Sequence, residues 1–122
     1  MTSSNRIVEC VPNFSEGRNQ EKVEKIITPF RKKAAVKLLD YQTDSAHNRM
    51  VVTVIGEPQA MISALIEAVG VAVTEIDMNT HQGEHPRMGA VDVVPFIPIK
   101  NLTMEETVCI SKEFASSVSK TY

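Results

Sequence analysis

The segment RMVVTVIGEPQAMISALIEAVGVAVTEI, residues 49–76, decides the fold. It opens with Val51, Val52, Thr53, Val54 and Ile55, a β-branched run that suits a pleated strand, and Gly56 stops it. Pro58 then stands where a helix begins, because the first helical residue needs no backbone N–H partner. Met61, Ile62, Leu65, Ile66, Val69, Val73 and Ile76 recur at helical spacing and predict the buried face of a long helix.

Working toward the N-terminus, residues 35–41 (AVKLLDY) read as a strand, and Gln42 to Asn48 as a polar hairpin connection. Before them, Val23, Ile26, Ile27 and Phe30 form one helical stripe that Asn19 can cap, and Pro29 is expected to make its second half irregular. Residues 6–12 (RIVECVP) read as a short strand ended by Pro12, and Asn13 to Gly17 as a turn-rich loop. Working toward the C-terminus, HQGEHPRMGA (81–90) is punctuated by Gly83, Pro86 and Gly89 and cannot be regular structure. Residues 91–99 read as a fourth strand, pushed to an edge by Pro95 and Pro98. Thr103 and Glu106 form a capping box before a last helix carrying Val108, Ala115 and Val118.

The resulting order, β-α-β-β-α-β-α, is the ferredoxin-like split β-α-β-β-α-β pattern plus a C-terminal helix, an α/β (α+β) fold. A mixed or mostly antiparallel sheet with helices on one face is expected. The 122 residues make one domain, large enough to bury a core without disulfides. Thirteen basic and fifteen acidic side chains leave a net charge of −2, which argues against a nucleic-acid binder. No apolar run approaches a membrane span and the N-terminus has no signal core, so a cytoplasmic protein is expected. Cys10 and Cys109 match no zinc spacing and read as reduced, buried thiols.

All three histidines, His47, His81 and His85, fall in expected loops, where sites concentrate. His81 and His85 share a decapeptide with Glu84 and Arg87, and Asp92 follows closely. An imidazole, a carboxylate and a guanidinium together can do acid–base work on an anionic substrate. The His81-x-x-Glu84-His85 spacing also fits an inverted zinc-protease motif, but that motif needs a helix, and Gly83 and Pro86 deny one. No metal is therefore expected. The loop from Asn13 to Arg18 and the loop from Asp44 to Arg49 are polar enough to wall a site, and plain enough to be a capped turn and a hairpin. Asp40, after Leu38 and Leu39, is either a site group or the start of a turn.

Several blocks of the chain resemble the glutamate formiminotransferases. They are IVECVPNFSEGRN (7–19), His47-Asn-Arg49 before a strand, Ile76-Asp-Met, HQGEHPRMGA (81–90), and Asp92 with Pro95-Phe-Ile-Pro98. The resemblance implies the N-terminal subdomain of a two-subdomain unit, over residues 1–122, with two sheets facing across a substrate tunnel. It implies transfer of a formimino group from N-formimino-L-glutamate to tetrahydrofolate in histidine breakdown, with tetrahydrofolate as co-substrate. His81 would be the general acid–base, and Asp40 an acid near the folate. Arg49, Arg87, Glu84 and Asn13 are the accompanying candidates for binding substrate: guanidinium groups fork onto carboxylates, and Glu84 or Asp40 can hold a cationic amidine. The family's chain runs well beyond residue 122. The alternative is therefore a non-catalytic fragment or relative that binds a ligand or partner, and a homodimer or association with a second subdomain is expected.

Overall fold

The computed structural model describes residues 6–76 and 91–121. In chain order the elements are β1 (Ile7–Cys10), β2 (Asn13–Phe14), α1 (Gln20–Arg31), β3 (Val36–Asp44), β4 (Arg49–Gly56), α2 (Pro58–Glu75), β5 (Val91–Val93), β6 (Phe96–Lys100) and α3 (Met104–Thr121).

β4 organises the sheet. On one side it pairs with β3 over its whole length, from Val36↔Gly56 to Asp44↔Arg49. On the other it pairs with β1 through Val8↔Gly56 and Cys10↔Val54, then with β2 through Asn13↔Val51 and Phe14↔Met50. β6 lies outside β1, and β5 outside β2. β1 and β2 are thus one interrupted line, and β5 and β6 another. The interruptions meet at two prolines, which have no N–H to give a ladder. The Val11 N–H donates to the Pro95 carbonyl at 3.2 Å, and the Val52 N–H to the Pro12 carbonyl at 3.0 Å.

The four expected strands therefore stand in ferredoxin-like order, with the first and last each broken once. Asn13 and Phe14, expected in a loop, resume the first strand, and β3 runs on to Asp44. The proline-bearing β6 lies at an edge, as Pro98 requires. Of the two arrangements expected, mixed or mostly antiparallel, the antiparallel one is found and the mixed one is not: every described pairing is antiparallel. β1 and β3 do run the same way, but the reversed hairpin strand β4 comes between them.

The helices cover one face. Val8, Cys10, Met50, Val52 and Val54 of the sheet join Val23, Ile26, Ile27 and Phe30 of α1 in a single core. Met61, Leu65 and Val69 of α2 and Ile110 and Phe114 of α3 complete it. Phe96 and Phe114 meet with ring centroids 5.8 Å apart, fastening α3 to β6. The helix starts follow their sequence signals. Asn19 Oδ1 accepts the Lys22 N–H at 3.2 Å. Glu57 Oε1 accepts the Ala60 N–H at 3.0 Å, with Pro58 in the first turn. In the capping box, Glu106 Oε1 accepts the Thr103 N–H at 2.8 Å and Thr103 Oγ1 the Glu106 N–H at 3.0 Å. The first of these bonds holds the Glu106 carboxyl below its ordinary range.

Three packing details depart from the expected pattern. α1 continues through Pro29 to Arg31, because only two helical residues follow the proline and its ring is buried. α2 buries Ala64, Ala68 and Ala72 and leaves Val73 52% exposed. Small residues on that side let α2 sit close to its neighbours. α3 turns Thr107, Ile110 and Phe114 inward and leaves Val108 and Ala115 exposed. The same phase exposes Cys109, against the expectation of two buried thiols. Cys10 is buried, and loss of solvation pushes its thiol pKa far up. A thiol reagent should accordingly modify one cysteine quickly in the native protein and the second only after unfolding. Two fast thiols would contradict the packing of β1.

Candidate functional site

Among the described residues no element covers the sheet face opposite the helices, and strand alternation decides what this open face carries. On β4 the residues alternating with the core are Arg49, Val51, Thr53 and Ile55, all half-buried. Asn13 lies opposite Val51 on one side and Gln42 on the other. Asp40 lies opposite Thr53, because a bulge between Leu38 and Asp40 inserts Leu39 and shifts the register by one residue. Asp40 and Leu39 are both exposed. Three candidates from widely separated positions, Asn13, Asp40 and Arg49, thus share one face. Gln42 Nε2 donates to Asp40 Oδ2 at 3.3 Å and adds an amide beside the carboxylate. Sequence reasoning overlooked Gln42, which it had placed in a loop.

The polar loops gather at one end of this sheet. Phe14 pairs with both Met50 and Val91, and Asp44 pairs with Arg49. Residues 15–19 and 45–48 therefore leave the sheet at the end where β5 begins. α2 returns to the same end: its 18 residues cover about 27 Å, matching about 26 Å for the eight residues of β4. α2 also packs against β5. Both anchors of segment 77–90, Ile76 and Val91, belong to this end. His81, Glu84, His85 and Arg87 lie outside the described residues, as does the side chain of Asp92.

The first loop is a brace. Glu16 is buried, and its Oε2 accepts the N–H groups of Arg18 at 3.1 Å and Asn19 at 2.9 Å. Arg18 donates from Nε to the Ser45 carbonyl and from Nη2 to the Ala46 carbonyl at 3.1 Å, clamping the β3–β4 turn. The Gly17 N–H donates to Asn48 Oδ1 at 2.9 Å. A Cβ on Gly17 would lie 2.2 Å from the Arg49 carbonyl oxygen, so only glycine permits this approach. Asn48 takes φ 52°, a conformation asparagine tolerates. The capped-turn and hairpin readings of these two loops therefore hold, and together they fix where Arg49 starts its strand.

His47 is absorbed locally. Its Nδ1–H donates to Asp44 Oδ2 at 2.8 Å, with both side chains largely exposed. That bond holds the Asp44 carboxyl below its ordinary range. Asn13 Nδ2 donates to the Val11 carbonyl at 3.3 Å. Among the described residues no group of three His, Cys, Asp or Glu could hold a metal ion. A groove of about 680 Å³ between α1 and α2 contains none of the candidate residues. Its acids are matched by lysines: Glu75 by Lys25 at 3.5 Å, and Glu67 by Lys32 at 3.2 Å and Lys33 at 2.7 Å. No helix among the described residues is long and apolar enough to cross a membrane.

Residues 7–122 match the family described as the formiminotransferase domain, N-terminal subdomain. The chain is 47% identical over 115 residues to a glutamate formimidoyltransferase of Streptococcus pyogenes serotype M1, covering 94% of this chain and 38% of that protein. It is 49% identical over 116 residues to a formimidoyltransferase-cyclodeaminase of Dictyostelium discoideum, covering 95% of this chain and 22% of that one. It is 40% identical over 114 residues to a glutamate formimidoyltransferase of Thermoplasma acidophilum, covering 93% and 38%. The chain thus spans well under half the length of these relatives.

Proposed function

The chain belongs to the formiminotransferase N-terminal subdomain family, and on that premise we propose that it is the acid–base half of a glutamate formimidoyltransferase. The reaction is transfer of a formimino group from N-formimino-L-glutamate to N5 of tetrahydrofolate, a co-substrate, in the cytoplasm and in histidine breakdown. One observation carries the reading: Asn13, Asp40 and Arg49 share the open face, near the end where the His81-bearing segment is anchored.

In the transfer a C–N bond forms to the folate nitrogen and the C–N bond to glutamate breaks. The attacking nitrogen gives up a proton and the departing nitrogen takes one. An imidazole, with an ordinary pKa of about 6.5, can accept the first proton and return it to the second. His81 is assigned that role. Asp40 and Glu84 are assigned to the cationic amidine and the folate, Arg49 and Arg87 to the carboxylates of the substrate, and Asn13 to a polar contact beside them. No metal is required, because the barrier is met by proton transfer at a positioned amidine.

A second reading rests on length. The chain covers 38% of the Streptococcus pyogenes relative, so a module that binds one ligand or partner without turnover competes with the catalytic one. Leu39, Ile97 and Ile99, exposed apolar residues, also favour self-association or a second subdomain. The test is glutamate release with both substrates present. We expect no turnover from the chain alone, and turnover once a relative's remaining segment is added as a separate chain. Failure of that mixture, with both parts folded, would establish the binding module.

A further inference from the structure

Among the described residues, one carboxylate on the open face stands without a partner. Glu9 alternates with Val8 and Cys10, which are fully buried, so it faces away from the helices. It is half-buried at mid-strand. Ile97 lies directly opposite it on β6 and Ile55 directly opposite on β4. Beyond Ile55 the row continues to Lys37, two strand spacings or about 10 Å from Glu9 along the backbone, and no ion pair joins the two side chains. Among the described residues no side chain or backbone group forms a hydrogen bond or ion pair with the Glu9 carboxylate.

An acid between two isoleucines weakens a strand, since neither neighbour solvates it and each would pack better against an apolar residue. What the row offers is two acceptor oxygens at the centre of an apolar strip. The matching ligand is a flat ring with apolar faces and two adjacent N–H donors on one edge. The 2-amino-4-oxo pyrimidine ring of a reduced pterin has that edge, in its N3–H and 2-amino groups.

Building on the folate reading, we propose that Glu9 receives the pyrimidine edge of the pterin, with Ile55 against the ring and Ile97 behind the carboxylate. Glu9 and Asp40 flank β4 diagonally, about 12 Å apart by strand spacing and rise. A ring held at Glu9 and laid across β4 brings N5, on its far side, toward Asp40. Glu9 is thereby a specificity residue for the co-substrate and takes no part in the proton transfers.

The test is methyl NMR on the 122-residue chain, titrated separately with 6-methyltetrahydropterin and with p-aminobenzoylglutamate, the two halves of the co-substrate. The pterin should shift the Ile55 methyls, and those of Ile97 less, and p-aminobenzoylglutamate should leave both in place. Glu9→Gln, which turns one acceptor into a donor, should weaken pterin binding about tenfold or more, with the fold unchanged by the same spectrum. Pterin shifts confined to the surroundings of Asn13 and Asp40, or unchanged affinity in Glu9→Gln, would overturn the assignment while sparing the folate reading. No shift with either half at millimolar concentration would remove both.

Discussion

Replacing His81 by alanine should lower formimino transfer by about 10²–10⁴, the range for a positioned general acid–base, measured as glutamate release from the assembled enzyme. Both proton transfers pass through one side chain in the assigned mechanism, so no other group on the loop compensates fully. The unfolding midpoint should stay where it is. His85→Ala should be milder, since the mechanism proposed assigns both proton transfers to His81 and none to His85. Full turnover in His81→Ala, or an equal loss in both variants, would reassign the acid–base role.

The second large effect concerns stability. Phe14→Ala should cost about 3–5 kcal/mol, the usual range for deleting a buried aromatic side chain. Phe14 is completely buried and sits between Met50 of β4 and Val91 of β5. Domains of this kind hold only about 5–15 kcal/mol in total, so the loss is a large share and should appear as a lowered denaturant midpoint. Its neighbour Asn13 faces the open side, and Asn13→Ala should change stability by less than about 1 kcal/mol. A loss below about 1 kcal/mol for Phe14→Ala would mean that β2 does not close the core. Because Phe14 also holds β5, where segment 77–90 rejoins the sheet, its loss should impair catalysis as well.

Much of this architecture was legible in the residues. Local rules that act within a few positions held: the cap at Asn19, the helix start at Pro58, the capping box at Thr103 and Glu106, and the β-branched run at β4. Features set by distant neighbours were not legible. Pro12 announces a stop, but only pairing with β4 and β5 recruits Asn13 and Phe14 back into the sheet. Pro29 announces a break, but the core on which α1 rests keeps the helix going. On α2, alanines read as filler, although close helix packing makes Ala64, Ala68 and Ala72 core residues.

The candidate site divides in the same way. Asn13, Asp40 and Arg49 are recognisable one by one, and their common face appears only when the bulge before Asp40 is in place. Without that extra residue, Asp40 would project among the core side chains. Glu9 had a signal of its own. Strand alternation in IVEC already separates it from Val8 and Cys10, but a lone acid in an apolar stretch draws less notice than a histidine in a loop.

The pairing of β1 with β6 has a consequence for biosynthesis. β1 leaves the ribosome before the other strands described here, yet its outer partner is Phe96–Lys100 and the helix packed on that partner is α3. The hairpin of β3 with β4 can form from neighbouring sequence, whereas one flank of β1 waits until Phe96–Lys100 has been made. Contacts between such remote positions slow folding, since a long loop must close before they contribute. Until then the nascent polypeptide displays a strand with an unsatisfied edge, and synthesis of β6 and α3 is what retires it as a target for chaperones and for aggregation.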